Sequence, residues 1–152
     1  MNTRRIILGA LLAATLSACV GSAATVGLAV GFEPTGLILI SAMTETAINE
    51  SIDIRAEAGI ATDEIAGLMV ATGTILYHYP LPPVDPYVGL GGGIAMTPPP
   101  FATGIVAEGV AGLRAGLTSS IFFFGQIRFL VRWSGEGITT GPIYEAGIQI
   151  RF

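Results

Sequence analysis

Few side chains in this 152-residue sequence could do chemistry. There is one histidine, His78, and one cysteine, Cys19. A histidine base needs a nucleophile and an orienting acid on neighbouring segments. No serine and acid pair accompanies His78, so it is expected to be a polar interior or turn-proximal residue, and the chain is expected not to be an enzyme. A metal site needs several ligands at regular spacing. Cys19 is isolated and His78 stands alone, so neither a metal nor a cofactor is expected. Gly89 to Gly93 lacks the lysine and helix that follow a phosphate loop. What remains is electrostatics. Asp53, Arg55, Glu57, Glu108, Arg114, Arg128, Arg132, Glu145 and Arg151 carry both signs of charge and fall in segments of alternating character. They read as one ion-pair network, which would either plug an enclosed space or line an ion-selective path.

Strands must position these charges. From Ser51 to Ile60 every odd position is polar or Gly and every even position is Ile or Ala, the period of a strand with two unlike faces. Glu108, Gly112, Arg114 and Gly116 share one face of another segment. Gln126, Arg128 and Arg132 share a face of a third, where Phe122, Phe124 and Leu130 break the alternation. The last nine residues alternate as well: Tyr144, Ala146, Ile148, Ile150 and Phe152 against Glu145, Gly147, Gln149 and Arg151. Eight segments have the length of a membrane-crossing strand, ~9–11 residues or more: 24–32, 35–45, 50–60, 65–79, 86–97, 102–117, 120–133 and 142–152. Turn residues join them at 33–36, 44–50, 61–64, 80–86, 97–100, 118–120 and 134–141. Segments two and four are apolar on both faces, and their parity stays open.

Composition decides which face is inside. The chain is 51% hydrophobic and 12% charged, against about 25% charged in a typical soluble domain. Such a chain could hardly coat a water-facing surface. Twenty-one glycines and interrupting prolines disfavour spanning helices beyond the N-terminus. The remaining membrane solution is a closed barrel, in which every backbone polar group is paired. A lipid-facing arginine at the midplane would cost ~2–4 kcal/mol, so the strand charges should face inward. Phe32, Phe101, Trp133 and Tyr144 then lie outside near one rim, and Tyr77, Tyr79 and Phe152 near the other, as an aromatic girdle does. The turn near Thr118 would bring Glu108 to Arg128, and the 134–141 connection would bring Arg132 to Glu145. All basic residues are arginine, and beyond Arg4 and Arg5 five of them face eleven acids. That balance argues against a nucleic-acid partner.

The N-terminus reads as an export signal. Met1 to Arg5 is basic, Ile6 to Leu16 apolar, and small residues follow. Leu16-Ser17-Ala18-Cys19 resembles a bacterial lipobox, which would make residues 1–18 the signal and Cys19 the acylated residue. Cleavage after Ala24, behind Ser22-Ala23-Ala24, is the competing reading. The mature domain is expected over 24–152.

Two further stretches carry a resemblance. Glu145, Gly147, Ile150 and Phe152 resemble the C-terminal assembly signal of bacterial outer-membrane barrels. Leu76 to Pro80, a Pro-rich turn, and Pro86 to Gly93 resemble the fourth hairpin of small eight-stranded outer-membrane barrels. These are the opacity and adhesion-type proteins and the transmembrane domain of outer membrane protein A. Ala107 to Trp133 and Tyr144 to Phe152 are similar to their last three strands. The resemblance implies an all-β, eight-stranded antiparallel up-and-down transmembrane barrel in the bacterial outer membrane, with both termini periplasmic. It implies outer-membrane lipid and, during biogenesis, the barrel-assembly machinery as partners, and a monomer. The loops are a few residues long, unlike those of adhesins. The expected role is therefore envelope-structural or surface-interacting, with the lumen plugged by paired charges. A narrow channel or small-molecule-binding barrel, and a soluble lipocalin-like barrel tethered by Cys19, are the alternatives.

Overall fold

The computed structural model describes residues 24–62, 67–79, 81–97, 103–135 and 137–152. Cys19 with its lipobox, Ser22 and Ala23 of the competing cleavage site, and Phe101 lie outside these. Among the described residues the chain forms eight strands and no helix: β1 (Ala24–Phe32), β2 (Ile38–Asn49), β3 (Ile52–Thr62), β4 (Gly67–His78), β5 (Val84–Met96), β6 (Thr103–Gly116), β7 (Ile121–Ser134) and β8 (Gly137–Arg151). Each pairs antiparallel with the next, and β8 returns to β1 to close the barrel. The all-β, eight-stranded antiparallel barrel expected from alternation is the fold observed.

Local chemistry sets the turns. Gly36 takes φ 97°, a left-handed conformation that favours glycine, and its N–H donates to Glu33 O at 2.9 Å. Asn49 Oδ1 accepts from the Ser51 N–H at 2.9 Å. Thr118 Oγ1 accepts from the Ser120 and Ile121 N–H groups, so a hydroxyl closes the β6–β7 turn.

Two boundaries differ from expectation by four or more residues. β2 runs on to Asn49, and β8 starts at Gly137, within the stretch expected to be a loop. Ser134 pairs with Gly137 and Arg132 with Thr139, so the β7–β8 hairpin is tight. It also projects: the β1–β8 ladder runs from Thr25–Arg151 to Phe32–Tyr144 and goes no further toward the hairpin. The composition of this stretch, Gly-Ile-Thr-Thr-Gly, signals a turn, but Ile138 against Trp133 supplies the cross-strand apolar pair that keeps it extended.

The inward positions are the odd residues of β1, β2, β3, β5 and β8 and the even residues of β4, β6 and β7. This settles the parity of β2 and β4. The largest fully buried side chains are Arg55, Arg128, Leu39, Met43, Leu76, Gln149 and Glu45. Outside, Leu90 is 77% exposed and Ile105 68%, and the exposed face of every strand is similarly apolar. Charged inside and greasy outside is the reverse of a water-soluble domain, and a hydrocarbon surrounding is what solvates such a wall. The described aromatic residues expected in the girdle sit on this wall. Phe32 and Tyr144 stack, with ring centroids 5.4 Å apart, and Trp133, Tyr77, Tyr79 and Phe152 are exposed.

Inside, apolar residues collect at the end that carries the β1–β2, β3–β4, β5–β6 and β7–β8 connections. Leu39, Ala61 and Ile143 form one cluster, and Val70, Ala95 and Val106 another. Leu68 and Leu130 pack against both. These residues made β2 and β4 look apolar on both faces.

Candidate functional site

The polar lumen begins at the opposite end, where β1 starts and β8 ends. His78 on β4 stands between two acids. Its Nε2 is 3.0 Å from Asp53 Oδ2 on β3 and its Nδ1 is 3.0 Å from Asp85 Oδ2 on β5. Arg114 on β6 reaches Asp85 at 2.6 Å and Glu45 Oε2 at 3.1 Å. Glu45 is the link to the next layer. Its Oε1 accepts from Arg55 Nη2 at 2.6 Å, Arg55 Nε at 2.8 Å and Gln149 Nε2 at 2.7 Å.

Arg55 then joins the middle of the barrel. Its Nη1 donates to Gln126 Oε1 at 2.5 Å, which also accepts from the Tyr87 hydroxyl at 2.9 Å. Its guanidinium lies 5.3 Å from the Tyr87 ring centroid and 5.9 Å from that of Phe124, within cation–π range. Gln126 Nε2 donates in turn to Glu145.

The deepest layer centres on Arg128 of β7. It pairs with Glu57 of β3, with Glu108 Oε2 at 3.4 Å and with Glu145 Oε2 at 3.6 Å. The Thr74 hydroxyl donates to the other oxygen of Glu108. The network therefore runs unbroken from Asp53 through His78, Asp85, Arg114, Glu45, Arg55, Gln126 and Glu145 to Arg128, drawing on every strand except β1.

β1 contributes space instead. A Cβ on Gly27 would sit 2.8 Å from Gln149 Cγ, and one on Gly31 would sit 2.7 Å from Glu145 Cγ. The same fit recurs at Gly112, under the Tyr87 ring, and Gly147, under the Phe124 ring. Small residues face large ones across the lumen, so the interior fills at ordinary packing distances.

Asp53, Arg55, Glu57, Glu108, Arg114, Arg128 and Glu145, each predicted from alternation, meet in this network. Glu108 reaches Arg128, although its backbone partner is Leu130. The expected pairing of Arg132 with Glu145 does not occur. The tight β7–β8 turn puts Gln126 opposite Glu145 and Thr139 opposite Arg132, which moves Arg132 toward the loop end. Arg151 lies at the open terminal end, 4.7 Å over the Phe122 ring, and joins none of the ion pairs found among the described residues. Glu45, Asp85 and Tyr87 are members that sequence reasoning missed; Gln126 and Gln149 stood on the predicted polar faces but were not counted in the network. Glu45 stood at a predicted strand end beside a predicted turn, and strand parity was the only signal that would have turned it inward. His78 lies in the lumen rather than at a nucleophile, with its ring nitrogens on two carboxylates.

No protein-family profile matches the sequence, and no curated protein matches it. Solved structures do resemble the fold. Neisserial surface protein A superposes with a TM-score of 0.66 at 16% identity, over 85% of this chain and 94% of that one. The N-terminal β-barrel domain of OprF from Pseudomonas aeruginosa gives 0.66 at 14% identity, over 86% and 98%. A de novo designed transmembrane β-barrel gives 0.63 at 14%, over 86% and 96%. At these identities the likeness is one of architecture: a small membrane-spanning barrel of the outer-membrane type.

Proposed function

We propose that the chain is a non-enzymatic outer-membrane barrel with an envelope-structural or surface-interaction role, its lumen sealed by paired charges. The observation that carries this reading is the ionic network itself. It crosses the lumen in consecutive layers, with Arg55, Arg128, Glu45 and Gln149 buried inside an apolar wall. Water-filled pores need free cross-section, and eight strands leave little beyond what side chains fill. The single histidine held by Asp53 and Asp85 supports the non-enzymatic part of the reading. Outer-membrane lipid is the bulk partner, and the protein acts as a monomer.

Both ends of the barrel wall, Thr25 and Arg151, are paired at one end. We assign that end to the periplasm, consistent with export behind residues 1–18 and lipid attachment at Cys19. The assembly signal is Glu145, Gly147, Ile150 and Phe152, with Phe152 78% exposed on the outer wall. Intact mass of the mature protein tests the anchor: a diacylglyceryl and acyl increment on Cys19 is expected, and cleavage after Ala24 would refute it. Planar-bilayer recording tests the seal. The purified barrel should give no steady single-channel steps, and regular steps would favour a narrow channel.

A further inference from the structure

The network does not reach the loop end of the lumen. A cavity of about 180 Å³ lies there, beyond the layer of Arg128. Leu68, Val70, Val106, Leu130 and Ile143 line it. One cation enters this apolar wall, Arg132. Its stem crosses Gly104, where a Cβ would sit 3.1 Å from Arg132 Cγ. Its Nε is buried without a hydrogen-bond partner. Among the described residues no carboxylate forms an ion pair with it, since Glu145 is committed to Arg128 and Gln126. The one acid on the described lining is Glu33. Its carboxylate accepts from the Thr35 hydroxyl at 2.8 Å and rests over Gly141, at the rim.

We propose that this cavity binds a small apolar carboxylate, a single-ring acid or a short-chain fatty acid, with its carboxylate on Arg132. Three arguments converge. An arginine set in an apolar wall, ion-paired with no carboxylate among the described residues, bears a desolvation penalty that an incoming carboxylate relieves, with a fork of donors matched to two oxygens. An apolar cavity of about 150 Å³ holds benzene, so this one holds a hydrocarbon group of that size. A phosphate would bring more charge and more acceptors than one guanidinium in an apolar wall can satisfy. The inference goes beyond a sealed barrel and rests on the fold alone, whichever side of a membrane the loops face.

The test uses the folded barrel in non-ionic detergent, with methyl-labelled Ile, Leu and Val, titrated with benzoate, benzyl alcohol and benzylamine at pH 7. Benzoate should give saturable shifts at the Val70, Val106 and Ile143 methyls, at least tenfold tighter than benzyl alcohol. The outer-wall methyls of Leu90 and Ile105 should not follow. Arg132→Gln should bring benzoate down to the level of benzyl alcohol. Glu33→Gln, which removes a repelling charge at the rim, should tighten benzoate and leave benzyl alcohol unchanged, and it decides the matter if Arg132→Gln fails to fold. Shifts that grow without saturating on outer and inner methyls alike would show partition into detergent and overturn the proposal. Tighter binding of benzylamine, or benzoate binding indifferent to both substitutions, would also overturn it.

Discussion

At the scale of residues, the telling group is Arg128, one guanidinium serving Glu57, Glu108 and Glu145. Removing it strands three buried carboxylates, whereas removing Glu108 leaves Arg128 with two partners. Loss of one member of a buried pair costs about 3–5 kcal/mol. Arg128→Ala should therefore reach that range in urea unfolding in micelles or bilayers, and Glu108→Ala should cost less. The double variant should be milder than the sum of the singles; simple additivity would mean that the two side chains do not interact. The charged members of the network were largely legible, because a charge in an apolar strand has one tolerable direction. Glu45 was not, since strand two offered no alternation to orient it. Phe122, Phe124 and Leu130 looked like errors in the β7 pattern. They are inward residues, Phe124 packing on Gly147 and under Arg55, and no count of polar positions distinguishes such filling from a change of register.

At the scale of elements, strand existence followed from pattern, and register from turns. The β6–β7 register was legible only to within two residues, Glu108 standing opposite Leu130 and not Arg128, although Thr118 and its neighbours make a short hydroxyl-closed turn. The β7–β8 register was misplaced by six residues, Arg132 facing Thr139 instead of Glu145, because Gly137 to Gly141 has turn composition yet pairs as strand. Close approach tests β4 and β5. A Cβ on Gly93 would collide with the Ala71 carbonyl oxygen, whereas nothing lies within 4 Å of one on Gly73. Gly93→Ala should destabilise by about 1–3 kcal/mol, the usual range for overpacking, and Gly73→Ala should stay within about 0.5 kcal/mol. Urea midpoints of the two variants compare them directly. At the end of β8, deleting Phe152 should lower the amount of folded, heat-modifiable protein in the outer membrane. Wild-type levels would remove Phe152 from the assembly signal.

At the scale of the whole molecule, burial is turned inside out, and solubility should follow: extraction from membranes should require detergent, and release by salt or alkali alone would point to a soluble barrel. The distribution of the network has a subtler outcome. Seven strands own the charges, and β1 owns none, offering Gly27 and Gly31 as clearance. Swinging β1 aside would part backbone hydrogen bonds and no ion pair. The wall thus has a door, hung between β1 and β8, while the other strands are bolted together from within. Amide hydrogen exchange should find β1 opening before β4, and a chain handed sideways into lipid could shut last at that seam with its charges already matched.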